Sequence, residues 1–143
     1  MNSRDDVGGD EVDRLVCEFG ASIGLPRWTL DARRRAALRL ESGIVVALDH
    51  LNSGEIFVRL EYPLAFATPA QLMRAAQGGR LVEGTLLHVG LGGAAADQTL
   101  LAGVRLEAHA VTASQLTLAI EQMIDWCDAL KHGTARSGRQ ERP

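Results

Sequence analysis

Apolar residues change their spacing several times along the chain, and each change marks an element. Val12, Leu15, Val16, Phe19 and Ile23 fall three and four apart, one face of a helix. Asp10 is placed to cap that helix, and Gly24 with Pro26 to end it. From Trp28 to Tyr62 the period drops to two: Ala36, Leu38 and Leu40, then Ile44, Val46 and Leu48, then Ile56, Val58 and Leu60. Ser42-Gly43 makes a tight connection and His50 to Gly54 a looser one, so these runs predict a three-stranded antiparallel meander. Thr68 precedes Pro69 with Gln71 three places on, which combines an N-cap, a first-turn proline and a capping box; that helix stops at Gly78-Gly79. Leu86 to Leu91 and Leu100 to Leu106 read as a hairpin across Gly92-Gly93-Ala94-Ala95-Ala96. Thr112 and Gln115 form a second capping box, and Leu116, Ile120, Met123, Cys127 and Leu130 run down one stripe of a long closing helix, with Trp126 beside it.

The order predicts an α+β fold, α-β-β-β-α-β-β-α, in which three helices cover one side of a curved, antiparallel five-stranded sheet as a two-layer sandwich. The expected organisation is a disordered start at 1–10, a single domain over 11–132, and a flexible basic tail at 133–143 carrying Arg136, Arg139 and Arg142.

Composition narrows the function classes. At 143 residues the chain fits one domain, and although 46% of it is hydrophobic, no run approaches the roughly 20 continuous apolar residues that cross a bilayer. Met1 to Asp13 lacks the apolar stretch of a signal peptide, so a cytoplasmic location without membrane insertion is expected. The net charge of -3 disfavours a general affinity for nucleic acid. Cys17 and Cys127 both sit at helical positions that read as core, and no disulfide framework is expected.

Candidate chemistry is sparse. His50, His88, His109 and His132 share no metal-binding spacing, Cys17 has Glu18 as its nearest charged neighbour in sequence, and Gly90-Leu91-Gly92-Gly93 lacks the lysine and hydroxyl of a phosphate loop. Arg33-Arg34-Arg35 reads as a solvated turn. No catalytic residue, cofactor or metal site is therefore expected. Two rival readings stay open: a small enzyme using Cys17 or a histidine, and a regulatory module contacting nucleic acid through Arg33 to Arg35. What resists a bland reading is the far face of the sheet. A hairpin about Ser42 sets Ala37 opposite Ala47, and the next turn brings in Phe57, giving an apolar strip flanked by Val45, Arg39 and Arg59. A second subunit, the chain's own loops or an extended peptide would each cover it.

The set from Val12 to Lys131 resembles the class I chaperones of bacterial type III secretion, the family typified by the Tir chaperone. The resemblance rests on the Leu15 to Ile23 helix, the Leu38 to Leu60 meander, the Thr68 to Gln77 helix, and the closing helix with Met123, Trp126 and Leu130. It implies a small acidic homodimer, neither an enzyme nor a cofactor protein, that binds the N-terminal segment of a secreted effector and holds it extended and soluble for export. Delivery to the secretion ATPase is implied by the resemblance alone. The client would lie on Ala37, Arg39, Val45, Ala47, Phe57 and Arg59. The family's dimer contact is similar in placement to Leu72, Met73 and Ala76 on the second helix, with Leu86, Leu87 and Val89 on the strand after it. Many members carry an asparagine just after that helix, where this chain has Gln77-Gly78-Gly79-Arg80.

Overall fold

The computed structural model describes residues 3–81, 84–94 and 97–141, with side chains at 11–81, 84–93 and 97–132. Helix α1 spans Ser3–Ser22; β1 (Arg35–Arg39), β2 (Val45–His50) and β3 (Glu55–Ala65) follow, then α2 (Pro69–Gln77), β4 (Gly79–Arg80), β5 (Leu86–Ala94), β6 (Asp97–Glu107), a single 3-10 turn at Ala108–Ala110, and α3 (Ala113–Glu141). All pairings are antiparallel, in the order β1-β2-β3-β6-β5-β4. The sheet thus has six strands where the alternation predicts five, because β4 is too short to show a period. Both outer helices also exceed their expected bounds. Each glycine inside a helix costs about 1 kcal/mol, and neither the Gly8-Gly9 pair nor Gly133 stops propagation. The expectations for Met1, Asn2, Arg142 and the Ala95-Ala96 link lie outside the described residues.

Both capping boxes form. The Thr68 hydroxyl accepts from the Gln71 N–H at 3.1 Å and the Gln71 side chain accepts from the Thr68 N–H at 2.8 Å. Thr112 and Gln115 repeat the arrangement at 3.1 and 2.9 Å. Gln71 also donates to the Lys131 carbonyl at 3.1 Å, tying α2 to α3.

A single turn design recurs. At Leu40–Ile44, Leu51–Glu55 and Leu81–Thr85 the first N–H donates to the fifth carbonyl and the fourth N–H to the first carbonyl, and the fourth residue is a glycine at φ 92, 93 and 96°. Asp31–Arg35 makes the same turn with Arg34 in the glycine place, at φ 63°. Only glycine adopts that conformation without cost, so Arg34 needs an offsetting role. Its guanidinium pairs with Asp13 at 2.8 Å and donates to His50 Nδ1, joining α1 to the sheet.

This fourth turn changes the reading of Trp28. The segment before β1 is not strand but a strap along the outer edge of β1. The Arg34 carbonyl accepts from His50 and the Leu40 N–H donates to Ile44, so the even residues of β1 bond β2 and the odd ones turn their backbone outward. There the Asp31 N–H donates to the Arg35 carbonyl at 2.7 Å, the Asp31 carboxylate accepts from the Arg35 N–H at 3.0 Å, and Trp28 Nε1 donates to the Ala37 carbonyl at 3.2 Å. The strap is seated on Gly20, where an added Cβ would lie 2.6 Å from the Leu25 carbonyl and 2.8 Å from Trp28 Cβ.

The helices cover one face of the sheet. Val12, Leu15, Val16 and Phe19 of α1 and the whole Leu116-to-Leu130 stripe of α3 are buried against Leu48, Ile56, Val58, Leu60, Leu100 and Val104. Tyr62 reaches across from β3 to donate a hydrogen bond to Asp128, while burial and the carboxylate beside it push the phenol's pKa well above its ordinary value. Cys127 is fully buried as expected, and its thiol is pushed up to about 12 by desolvation and by Asp128. Cys17 is not core but exposed: two positions beyond Leu15 it points about 200° around the helix, away from the stripe. Ile23 lies beyond the end of α1 and is also exposed.

Candidate functional site

Strand register builds the outer face of the sheet as three rows. The first runs Arg35, Asp49, Phe57, Arg105; the second Ala37, Ala47, Arg59, Gly103, His88; the third Arg39, Val45, Glu61, Leu101, Gly90. Every residue of the predicted strip falls on this face, with Ala37 opposite Ala47 as expected and Phe57 opposite Asp49, one pair along. Among the described residues, no helix packs on these rows.

Burial grades from rim to floor. Ala37 and Arg39 are exposed, Val45, Phe57 and Arg59 half-buried, and Ala47 only 2% exposed although it faces away from the core. The tip of the Phe57 ring lies over Gly103 of β6, where an added Cβ would sit 2.4 Å from Phe57 Cζ, so only glycine leaves room for that pose. The ring reaches toward His88, with centroids 6.5 Å apart. Gly103, His88, Arg105 and Leu101 are members that sequence reasoning missed, since nothing local says which residues of β5 and β6 stand beside Phe57.

Charge brackets this floor. Arg35 and Arg59 reach Asp49 at 3.5 and 4.0 Å, Arg59 reaches Glu61 at 3.9 Å, and Arg105 reaches Glu55 at 3.6 Å. These are ion pairs without hydrogen bonds: Arg59 Nε and Asp49 Oδ1 are both buried with no hydrogen-bond partner.

The predicted dimer residues divide. Leu72, Met73 and Ala76 of α2 and Leu86 of β5 are exposed, and α2 buries only Ala75. Leu87 belongs to the protomer's own core and Val89 packs against it, because alternation along β5 turns them opposite to Leu86. Phe66, thrust out after Ala65 at φ 64°, adds to the exposed apolar surface near α2.

The other candidates do not assemble. Cys17 Sγ has the Pro26 carbonyl, 3.8 Å away, as its hydrogen-bond partner among the described residues. His109 pairs with Glu107 at 3.4 Å and His132 stands exposed on α3. Gly90 to Gly93 lie within β5 rather than in a loop leading to a helix. In the arginine run, Arg34 and Arg35 are engaged with Asp13, His50 and Asp49, and the Asp31 carboxylate accepts from the Arg33 N–H. Among the described residues, no group of histidine, cysteine and carboxylate side chains is placed to hold a metal ion.

No protein-family model matches the chain, and no curated protein matches it. Solved structures do. A chain of the Yersinia pestis type III secretion chaperone SycH in complex with a stable fragment of YscM2 aligns at TM-score 0.67 and 17% identity, over 83% of this chain and 98% of that one. A chain of the ExsC–ExsE complex aligns at 0.66 and 18%, over 87% and 93%. A chain of the HopA1–SchA chaperone–effector complex aligns at 0.66 and 10%, over 88% and 97%. The protein therefore has the fold of these chains across nearly their whole length.

Proposed function

We propose that this protein is a type III secretion chaperone that holds the N-terminal segment of a bacterial effector extended and soluble in the cytoplasm until export. The observation that carries the reading is the sheet's uncovered outer face, apolar at its floor, in a fold shared with chains from chaperone complexes that contain a bound partner or effector. Holding needs no catalysis: a segment bound in extended form meets its ordering cost on binding and is withdrawn from aggregation by mass action. The working form is a homodimer through Leu72, Met73, Ala76 and Leu86, an apolar set that one copy leaves in water, and delivery to the secretion ATPase follows.

The test is Phe57→Asp, read by circular dichroism and sizing and then by copurification of effectors encoded beside the gene. A carboxylate placed in this floor costs several kcal/mol when a client covers it. A folded mutant that loses its client supports the reading. One that captures the client at wild-type strength removes Phe57 from the site, and a wild-type protein that captures none overturns the function.

A further inference from the structure

The outer face carries charge that its own ion pairs leave unspent. Arg39 has no ion pair or hydrogen bond among the described residues, Arg59 holds its two carboxylates only at 3.9 and 4.0 Å, and Arg105 is 3.6 Å from Glu55. Carboxylate–guanidinium hydrogen bonds close at about 2.7–2.9 Å, so the forks of these arginines remain available. Within the three rows Arg35, Arg39, Arg59 and Arg105 stand against Asp49 and Glu61, a local positive excess on a chain whose net charge is -3, and the next row along, Glu55 opposite Glu107, brings the same face into balance beyond Phe57.

We propose that this face selects an extended segment bearing apolar side chains and carboxylates on the same side, the apolar ones seated on Ala37, Ala47 and Phe57 and the carboxylates on Arg39, Arg59 and Arg105. The proposal rests on the holding function above and specifies the chemistry of the client. Apolar floor and basic rim alternate over one cross-strand step: Arg39 is paired with Val45, and Arg59 lies between Ala47 and Gly103. Nucleic acid fits poorly, because Asp49 and Glu61 interrupt the arginines and would face phosphate.

The experiment uses fluorescein-labelled peptides built of Leu-Ser-Glu-Ser repeats, with Lys or Gln in the Glu place as comparisons, titrated with the full chain by fluorescence anisotropy. The Glu peptide is expected to bind about tenfold tighter than the Gln peptide, the yield of two partly exposed ion pairs. That margin is expected to shrink as salt is raised. The double variant Arg39→Glu, Arg59→Glu, checked for fold by circular dichroism, is expected to reverse the preference toward the Lys peptide. Equal binding of the Glu and Gln peptides overturns the charge rule, and so does tighter binding of a labelled single-stranded oligonucleotide. Failure to bind any peptide overturns it too. The holding function is judged apart from this, by client copurification, so a chaperone that captures its effector yet shows no charge preference separates the two.

Discussion

Arg34 is the residue on which the most local structure depends. It occupies a backbone conformation that costs a side-chain-bearing residue about 1–2 kcal/mol, and in exchange it reaches Asp13 on α1 and His50 on β2. His50 can accept from Arg34 only while its Nδ1 is unprotonated, and burial and the neighbouring guanidinium lower its pKa, opposed by Asp13. A lowered folded pKa makes the contribution complete above the unfolded value of about 6.5 and lost as pH falls through the folded value. Thermal midpoints measured from about pH 7.5 to 5.5 should therefore drop more for the wild type than for His50→Asn, which keeps an acceptor and does not titrate. The cysteines separate as sharply. Cys17 should react with a thiol reagent in the native protein and Cys127 only after unfolding; Cys127→Ala should cost about 1–2 kcal/mol through the cavity it leaves, and Cys17→Ala nearly nothing. Spacing alone could have shown the difference, because Cys17 stands outside the stripe that Leu15 and Phe19 define.

At the scale of elements, the sequence announces what repeats and hides what is unique. The meander was legible because inward positions alternate without a break, and the helix starts because both Thr-x-x-Gln boxes close. The turns at Gly43 and Gly54 were visible, and the arginine run was read as a solvated turn, though not as a fourth copy of the same design, since Arg34 stands where the others have glycine; the turn at Gly84 was missed together with β4. The strap itself was missed, because the period of two was taken to begin at Trp28. Replacing Gly43 by Ala should lower stability by about 1 kcal/mol through backbone strain, measurable by urea denaturation. Arg34→Gly makes the reverse exchange: it relieves the strain but loses the contacts to Asp13 and His50, and a net loss shows that those contacts outweigh the backbone term. The outer face was half legible. Its β1–β3 half follows from hairpin register, whereas Gly103, His88 and Arg105 enter through pairings between strands distant in sequence.

Across the whole molecule, among the described residues, the helices pack on one face of the sheet only, and α2 buries little of itself. If α2 is completed by a second copy, light scattering at micromolar concentration should give a dimer, and Met73→Asp should yield a folded monomer because Met73 is 66% exposed in the single chain. A wild-type monomer would count against the pairing. The two ends of the sheet differ in kind. At β1 the chain's own Trp28 and Asp31 occupy the outward backbone of Arg35 and Ala37, while β4 covers β5 only at Leu86 and Leu87 and no described strand pairs with the rest of that side. Growth of a sheet from copy to copy needs two complementary borders, one to give and one to receive. The strap takes up the Arg35 and Ala37 end of the β1 border, so among the described residues the side of β5 beyond Leu87 is the longer unpaired one, and copies meeting there would join like to like. A chain that lays its own strap along one border of the sheet thereby shortens the edge at which further copies can add.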